Sequence, residues 1–230
     1  MSNRRLATAL VPNRRYIQIA FNHNMYEVRK VLPQIPYDPR VIIEAGTPFC
    51  KREGMAGVRS IRSMWPGLLV ADLKVTDGAV QEVEFAVSAG ANMITAAGSS
   101  PPETLDLFTE TCHRYRVFSE IDMLGVHNPL RRMLPLRNIP DVVVIHKGRD
   151  EEANPRSIIR YRDISKVHGK FDVLISVAGG LQPEKIRTAY FNGADIAILN
   201  VIQQGDSNEG INQNSNFRTL IPRILSEAGD

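Results

Sequence analysis

The segment VADLKVTD carries three charged side chains at a spacing that suits chemistry. It follows an apolar run, and alternation along an extended strand places Val70, Asp72 and Lys74 on one face. A buried lysine needs a counter-charge, which Asp72 and Asp77 would supply. We interpret this cluster as part of an active site. A structural ion-pair network at the rim of the fold fits the same spacing.

Two further titratable residues end apolar runs. Glu44 ends VIIE, and its place on the strand next to that of Asp72 predicts a carboxylate pair, which together with water and substrate oxygens suits Mg2+. His146 ends VVVIH before the polar loop KGRD, and its side chain titrates near neutrality, so it is a candidate acid/base group. The alternatives are a hydrogen-bonded core carboxylate and a structural histidine.

A pair of glycines follows another apolar run in the segment SVAGGL. Gly179 and Gly180 precede a predicted helix, where backbone N–H groups and the helix dipole favour an anion. The alternative is a tight turn that needs left-handed backbone angles. The position along the chain favours a phosphate site.

The elements that must position these residues are short apolar runs, each followed by an amphipathic stretch. Their spacing is that of one strand–helix unit, and their Val- and Ile-rich composition is typical of parallel strands covered on both faces. The predicted strands are Tyr16–Phe21, Arg40–Glu44, Leu68–Asp72, Asn92–Ala97, Arg116–Ile121, Asp141–His146, Asp172–Ala178 and Asp195–Leu199.

Eight such units predict a single (β/α)8-barrel domain over residues 1–230, with 1–15 as an N-terminal arm. A doubly wound sheet is the alternative. A last helix is expected near Phe217–Ala228, after a polar and mobile stretch, GDSNEGINQNSN. In a barrel the active site forms at the carboxyl ends of the strands, where the polar residues above are placed.

Composition excludes several classes of function. A net charge of +3, with scattered basic pairs and no aromatic platform, argues against nucleic-acid binding. No apolar run approaches the length of a membrane span, and the N-terminus does not resemble a signal peptide. The two cysteines form neither a metal spacing nor a disulfide framework, so we expect a cytoplasmic protein.

The order and spacing of several segments resemble those of the hexulose-6-phosphate synthases. These belong to the orotidine-5'-monophosphate decarboxylase superfamily, together with 3-keto-L-gulonate-6-phosphate decarboxylase. The resemblance covers Tyr16–Ile202 and rests on EAGTPFCKREGMAGVRSIR, VADLKVTDGAVQEVEFAVSAGAN, VVIHKGRD, SVAGGLQPEKI and NGADIAIL.

The resemblance implies a homodimer with shared active sites and a phosphorylated sugar as substrate. The implied reaction is the reversible addition of formaldehyde to D-ribulose 5-phosphate through an enediolate. By the same resemblance, Glu44 and Asp72 would bind Mg2+, Lys74 would contact the substrate, and Asp77 would reach the neighbouring subunit's site. His146 would transfer protons, and Gly179 and Gly180 would hold the phosphate.

Two positions depart from the pattern of the family. The first strand ends in Asn22 where the family has aspartate, and the last ends in Asn200-Val201 where it has Gly-Arg or Gly-Gly. Valine cannot replace arginine electrostatically. We therefore expect Asn22 and Asn200 to contact substrate in a phosphate site that uses Gln203, Gln204 or a basic residue from elsewhere.

Three functions are consistent with the sequence. The chain is a synthase-like aldolase, a related enzyme such as the keto-gulonate phosphate decarboxylase, or a non-catalytic barrel. Clustered charges at the mouth are costly unless paired or used, which favours an enzyme.

Overall fold

The computed structural model describes residues 10–154 and 156–229. Eight parallel strands pair in chain order, and the first pairs with the eighth, so the sheet closes into a barrel. This closure confirms the (β/α)8 barrel and excludes the doubly wound sheet. The strands are β1 (Tyr16–Phe21), β2 (Val41–Ala45), β3 (Leu69–Val75), β4 (Met93–Ala97), β5 (Phe118–Asp122), β6 (Val142–His146), β7 (Leu174–Ala178) and β8 (Ile196–Ile202).

Helices follow the strands and cover the outside of the barrel. They are α1 (Met25–Val31), α2 (Thr47–Met64), α3 (Ala79–Ser88), α4 (Pro102–Tyr115), α5 (Pro129–Met133), α6 (Arg162–His168), α7 (Ile186–Phe191) and α8 (Phe217–Ala228). The last helix has the predicted bounds. None of the helices in the described ranges has both the length and the apolar character to cross a membrane.

Strand alternation divides the core into two parts. Outward-facing residues such as Ile19 and Ile43 pack against the helices in one large cluster. Inward-facing residues such as Tyr16, Ile42 and Val70 form a smaller cluster that fills the amino-terminal end of the barrel. The barrel is therefore plugged at one end by apolar side chains and can open only at the carboxyl ends of its strands.

The end of the last strand differs from the prediction. β8 continues to Ile202 and pairs with a two-residue strand, β9 (Ile211–Asn212), inside the stretch that we expected to be mobile. Val201 is fully buried there. Of the predicted arm, residues 1–9 lie outside the described residues. Leu10 packs against the apolar plug of the barrel.

Candidate active site

A cavity of about 470 Å³ lies at the carboxyl ends of the strands. Seven of the nine predicted site residues line it, and they come from six strands and the loops that follow them: Asn22, Glu44, Asp72, Lys74, His146, Gly179 and Asn200. The other two, Asp77 and Gly180, do not line this cavity and face neighbouring depressions of the surface, so their predicted roles stay predictions. Distant parts of the sequence therefore meet in one charged site.

Asp72 is held by the start of α2. Its Oδ2 accepts hydrogen bonds from the Thr47 N–H at 3.1 Å and from the Thr47 hydroxyl at 2.6 Å. Gly46 precedes Thr47, and a β-carbon there would collide with the Asn22 side chain. The segment EAGTP thus supplies Glu44, makes room for Asn22 and positions the neighbouring Asp72.

Lys74 reaches the same cavity through an irregularity in β3. The pairing of β3 with β4 shifts between Ala71 and Val75, and Lys74 has a left-handed φ of 47°. Its N–H donates to Thr95 Oγ1 at 2.9 Å, and the Thr95 hydroxyl donates to Asp72 at 2.6 Å. Bulges of this kind redirect side chains beside active sites at a cost in backbone strain.

Asp122 connects Lys74 to His146. One of its oxygens lies 2.8 Å from Lys74 Nζ and 2.8 Å from His146 Nδ1, while Lys74 Nζ also lies 2.8 Å from Asp72. Because a carboxylate only accepts, His146 Nδ1 is the donor and Nε2 is left for other partners. The second counter-charge of Lys74 is therefore Asp122, which corrects the prediction of Asp77, an exposed residue beyond the end of β3.

The charges of this array stabilise one another. Burial alone would raise the pKa of Asp122, but His146 and Lys74 hold that pKa well below its usual range. Burial alone would lower the pKa of Lys74 and of His146, yet the neighbouring carboxylates raise both. At neutral pH the array therefore holds an ionised carboxylate between two groups that favour the charged form.

Glu44 has a different environment. It is buried, and it accepts a hydrogen bond at 2.7 Å from Gln18 Nε2. Burial, and then the like charge of Asp72, raise the pKa of Glu44 to about 7. The carboxylates of Glu44 and Asp72 together carry more negative charge than Lys74 balances. Such a pair suits a divalent cation, which prefers oxygen ligands. No group of three or more acidic, histidine or cysteine side chains suited to a metal occurs in the described residues, so water and substrate would complete the coordination.

The region predicted to hold phosphate is only partly open to the cavity. Gly179 has a φ of 97° and lines the cavity, and a β-carbon on it would collide with the Lys147 carbonyl. A β-carbon on Gly180 would lie 3.7 Å from the carboxyl carbon of Glu152. Among the residues at the cavity mouth, Arg149 supplies a positive charge that an anion would need.

The end of β8 contributes an amide rather than a glycine. Asn200 lines the cavity, and its Oδ1 accepts a hydrogen bond at 3.0 Å from Asn22 Nδ2. The two positions that depart from the family pattern therefore contact each other. Their pairing joins the ends of β1 and β8 across the closure of the barrel.

The fold and cavity define a (β/α)8 barrel with a charged site at the carboxyl ends of its strands. Residues 16–206 match the family described as "Orotidine 5'-phosphate decarboxylase / HUMPS family". The chain belongs to this family, which confirms the predicted superfamily.

Individual relatives agree with this assignment. The chain is 32% identical over 214 residues to the "Bifunctional enzyme Fae/Hps" of Methanothrix thermoacetophila, covering 92% of this chain and 52% of that protein. It therefore spans about half the length of the curated relatives it matches. The 3-hexulose-6-phosphate synthase structure from Salmonella typhimurium matches with a TM-score of 0.76 at 23% identity, over 93% of this chain and 99% of that chain. KGPDC from Streptococcus mutans in complex with D-R5P matches with a TM-score of 0.73 at 18% identity, over 94% and 99%.

Proposed function

We propose that the chain is a divalent-metal-dependent aldolase that joins formaldehyde to D-ribulose 5-phosphate reversibly through an enediolate. The observation that carries this proposal is the Lys74–Asp122–His146 array beside the carboxylates of Glu44 and Asp72. The names of the relatives support it, since they include Fae/Hps enzymes and a 3-hexulose-6-phosphate synthase.

The array has the parts that enediolate chemistry needs. His146 Nδ1 donates to Asp122, which fixes the ring and leaves Nε2 to exchange a proton with the substrate. Lys74 holds positive charge at the position where an oxyanion would develop. Glu44 and Asp72 would hold Mg2+, which when bound adds positive charge for the same oxyanion.

The remaining residues would bind the sugar phosphate. Asn22 and Asn200 offer amide groups to hydroxyls of the sugar, while the Gly179–Gly180 backbone and Arg149 lie where the phosphate would sit. A fixed phosphate holds the reactive end of the sugar still. The structure of KGPDC with D-R5P supports a sugar phosphate as the ligand.

Asp77 is assigned to a second subunit. It does not line the cavity of its own chain but lies at the start of α3 beside Glu103 and Leu107. We propose a homodimer in which Asp77 reaches the partner's cavity. Mixing inactive Lys74→Ala and Asp77→Ala chains should then restore part of the activity, because one site of the mixed dimer keeps both native residues. A mixture that stays inactive would refute this role.

A related decarboxylase is the second candidate. The fold similarity to the KGPDC structures favours it, and the same array could stabilise the enediolate that remains after loss of carbon dioxide. The two reactions differ in the group removed or added, not in the residues that hold the intermediate.

The test measures both reactions on one preparation. Formaldehyde consumption should require both D-ribulose 5-phosphate and a divalent metal, and a chelator should abolish it. Release of carbon dioxide from 3-keto-L-gulonate 6-phosphate measures the second candidate. The exposed-carboxylate variant Glu110→Gln, in the middle of α4, is the matched control for Glu44→Gln. Absence of both activities, with no thermal shift on adding Mg2+ and the sugar phosphates, would refute both enzyme functions.

A further inference from the structure

A polar layer crosses the barrel directly below the candidate active site. Inward side chains of a barrel lie in layers of four that come from alternate strands. The register of the strands, with the stagger that barrel closure requires, groups Gln18 of β1, Val70 of β3, Glu120 of β5 and Ser176 of β7. Gln18 and Glu120 form part of the floor of the cavity, Val70 also belongs to the apolar plug, and the rest of the plug lies below this layer. Three of its four members are polar, which is unusual inside a barrel core.

Polar atoms in this layer lack partners. Gln18 Oε1, both carboxyl oxygens of Glu120 and Ser176 Oγ are buried and make no hydrogen bond to the part of the chain that the structure describes. Glu120 and Ser176 are 0% exposed and Gln18 is 1% exposed. Such atoms cost about 1 to 3 kcal/mol each unless they find partners. Their concentration at one level indicates that they satisfy one another, directly or through ordered water.

The donors and acceptors of these side chains limit how the polar layer can be hydrogen-bonded. Gln18 donates its amide to Glu44, so its Oε1 is an acceptor that needs a donor. An ionised Glu120 has no donor, whereas a neutral carboxylic acid has one. Ser176 in turn can donate to the Glu120 carbonyl. A neutral Glu120 supplies a proton to the network that runs from Ser176 to Glu44, whereas an ionised Glu120 would take all its donors from serine and water and would keep a buried negative charge without a counter-charge.

The surroundings of Glu120 also oppose its ionisation. Burial, followed by the like charges of Glu44, Asp72 and Asp122, raises the pKa of Glu120 well above its usual value. In the described ranges no lysine, arginine or histidine forms an ion pair with Glu120, and Lys74 is already paired with two aspartates. A negative charge at this position would be unpaired and buried.

We propose that Glu120 is a neutral carboxylic acid that positions Glu44 through Gln18, with ordered water completing the links across the barrel. Glu120 is then a positioning residue: it lies fully buried at the floor of the cavity and fixes the amide that orients a ligand of the cation. The role in cation binding rests on the proposed function, whereas the protonation state does not.

The first test is spectroscopic and needs neither metal nor substrate. The infrared difference spectrum of the wild type minus Glu120→Gln, at neutral pH in the presence of a chelator, should contain the carbonyl band of a protonated carboxylic acid. The same pair is also compared in the Glu44→Gln background, because Glu44, with a pKa of about 7, is partly protonated at neutral pH and its own band would not cancel. A difference spectrum that shows a carboxylate band instead overturns the proposal.

The second test measures Mn2+ binding from the paramagnetic resonance signal of the free ion. Glu120→Leu removes the donor to Gln18 and should weaken Mn2+ binding about threefold to tenfold, the value of one buried hydrogen bond. Glu120→Gln keeps a donor and should rescue the affinity to within about twofold of wild type, a difference under about 0.5 kcal/mol. Thr109→Val removes a buried, unpartnered hydroxyl on α4, outside the barrel interior, and is the matched control that should change nothing.

The outcomes separate this proposal from the proposed function. Equal affinities in Glu120→Leu and wild type overturn the positioning role. If the wild type holds a second ion inside the polar layer and Glu120→Gln does not, the layer is a cation site and Glu120 is ionised. That result also overturns the proposal. If Glu44→Gln leaves Mn2+ binding unchanged, the proposed function fails, while the infrared band still reports the state of Glu120. Should Glu120→Leu fail to fold, the infrared comparison with Glu120→Gln remains decisive.

Discussion

Glu44 makes the stability of the metal-free protein depend on pH. Its pKa is raised from 4.5 to about 7, first by burial and then by Asp72. Between these values the folded chain holds a proton that the unfolded chain has released. The free energy of unfolding should therefore fall as pH rises through this window and level off above about pH 7. A shift of this size corresponds to about 3 kcal/mol.

Replacing Glu44 by glutamine removes this penalty while keeping an acceptor for the Gln18 amide. In a chelating buffer at about pH 8 we expect Glu44→Gln to be more stable than wild type by up to about 3 kcal/mol, and at about pH 4.5 by much less. Urea unfolding followed by circular dichroism, at both pH values, measures the difference. The exposed control Glu110→Gln should shift neither value.

The same experiment tests the metal proposal. With Mg2+ at about a hundred times its dissociation constant, wild type should gain about 2.7 kcal/mol at the higher pH. Glu44→Gln should gain far less, because one of the two proposed ligands is gone. Parallel pH dependence in the two proteins would refute our account of Glu44, and equal stabilisation by Mg2+ would refute its role as a ligand.

Three other variants test separate parts of the site. Gly179→Ala places a β-carbon against the Lys147 carbonyl at a left-handed φ, and it should lower the free energy of unfolding by at least about 1 to 3 kcal/mol; an unchanged melting temperature contradicts this. Asp122→Asn keeps the volume but removes the charge that holds Lys74 and His146, so kcat should fall about 10- to 100-fold with a smaller change in KM. A kcat within twofold of wild type would show that this carboxylate is dispensable. Lys74→Met leaves Asp72 without its cation, while Asp122 keeps His146, and it should cost about 3 to 5 kcal/mol as well as turnover. A second change, Asp72→Asn, should restore stability but not activity.

The positions of the strands were predictable because each is a continuous apolar run between polar segments. Every predicted strand overlaps the observed one, and β1 and α8 have the predicted bounds. Polar residues at the carboxyl ends of parallel strands must converge, so Glu44, Asp72 and His146 could be assigned to one site before the geometry was known.

The residues missed by sequence reasoning are those whose roles depend on contacts between strands. The fifth predicted strand ends at Ile121, so it includes Glu120 but omits Asp122. In the structure both side chains lie on the inner face of β5, which ends at Asp122. Two acidic residues two positions apart in an otherwise buried strand are the signal that could have found them. The bulge at Lys74 has no such signal, because it depends on Thr95 of a different strand.

The charge of the cavity indicates what it binds. Glu44, Asp72 and Asp122 face Lys74 and His146, so acidic groups exceed basic ones by one if Glu120 is neutral. The other charged residues that line the cavity balance, with Lys51 and Arg149 against Asp150 and Glu152. The charge left unbalanced is assigned to Glu44, whose pKa is raised to about 7 first by burial and then by the like charge of Asp72. A divalent cation reverses the sign of the excess and leaves one positive charge facing the cavity. That sign suits an anionic sugar phosphate, whereas an ionised Glu120 would cancel it. If the cavity binds a divalent cation as proposed, a neutral Glu120 therefore leaves a net positive charge for an anionic substrate.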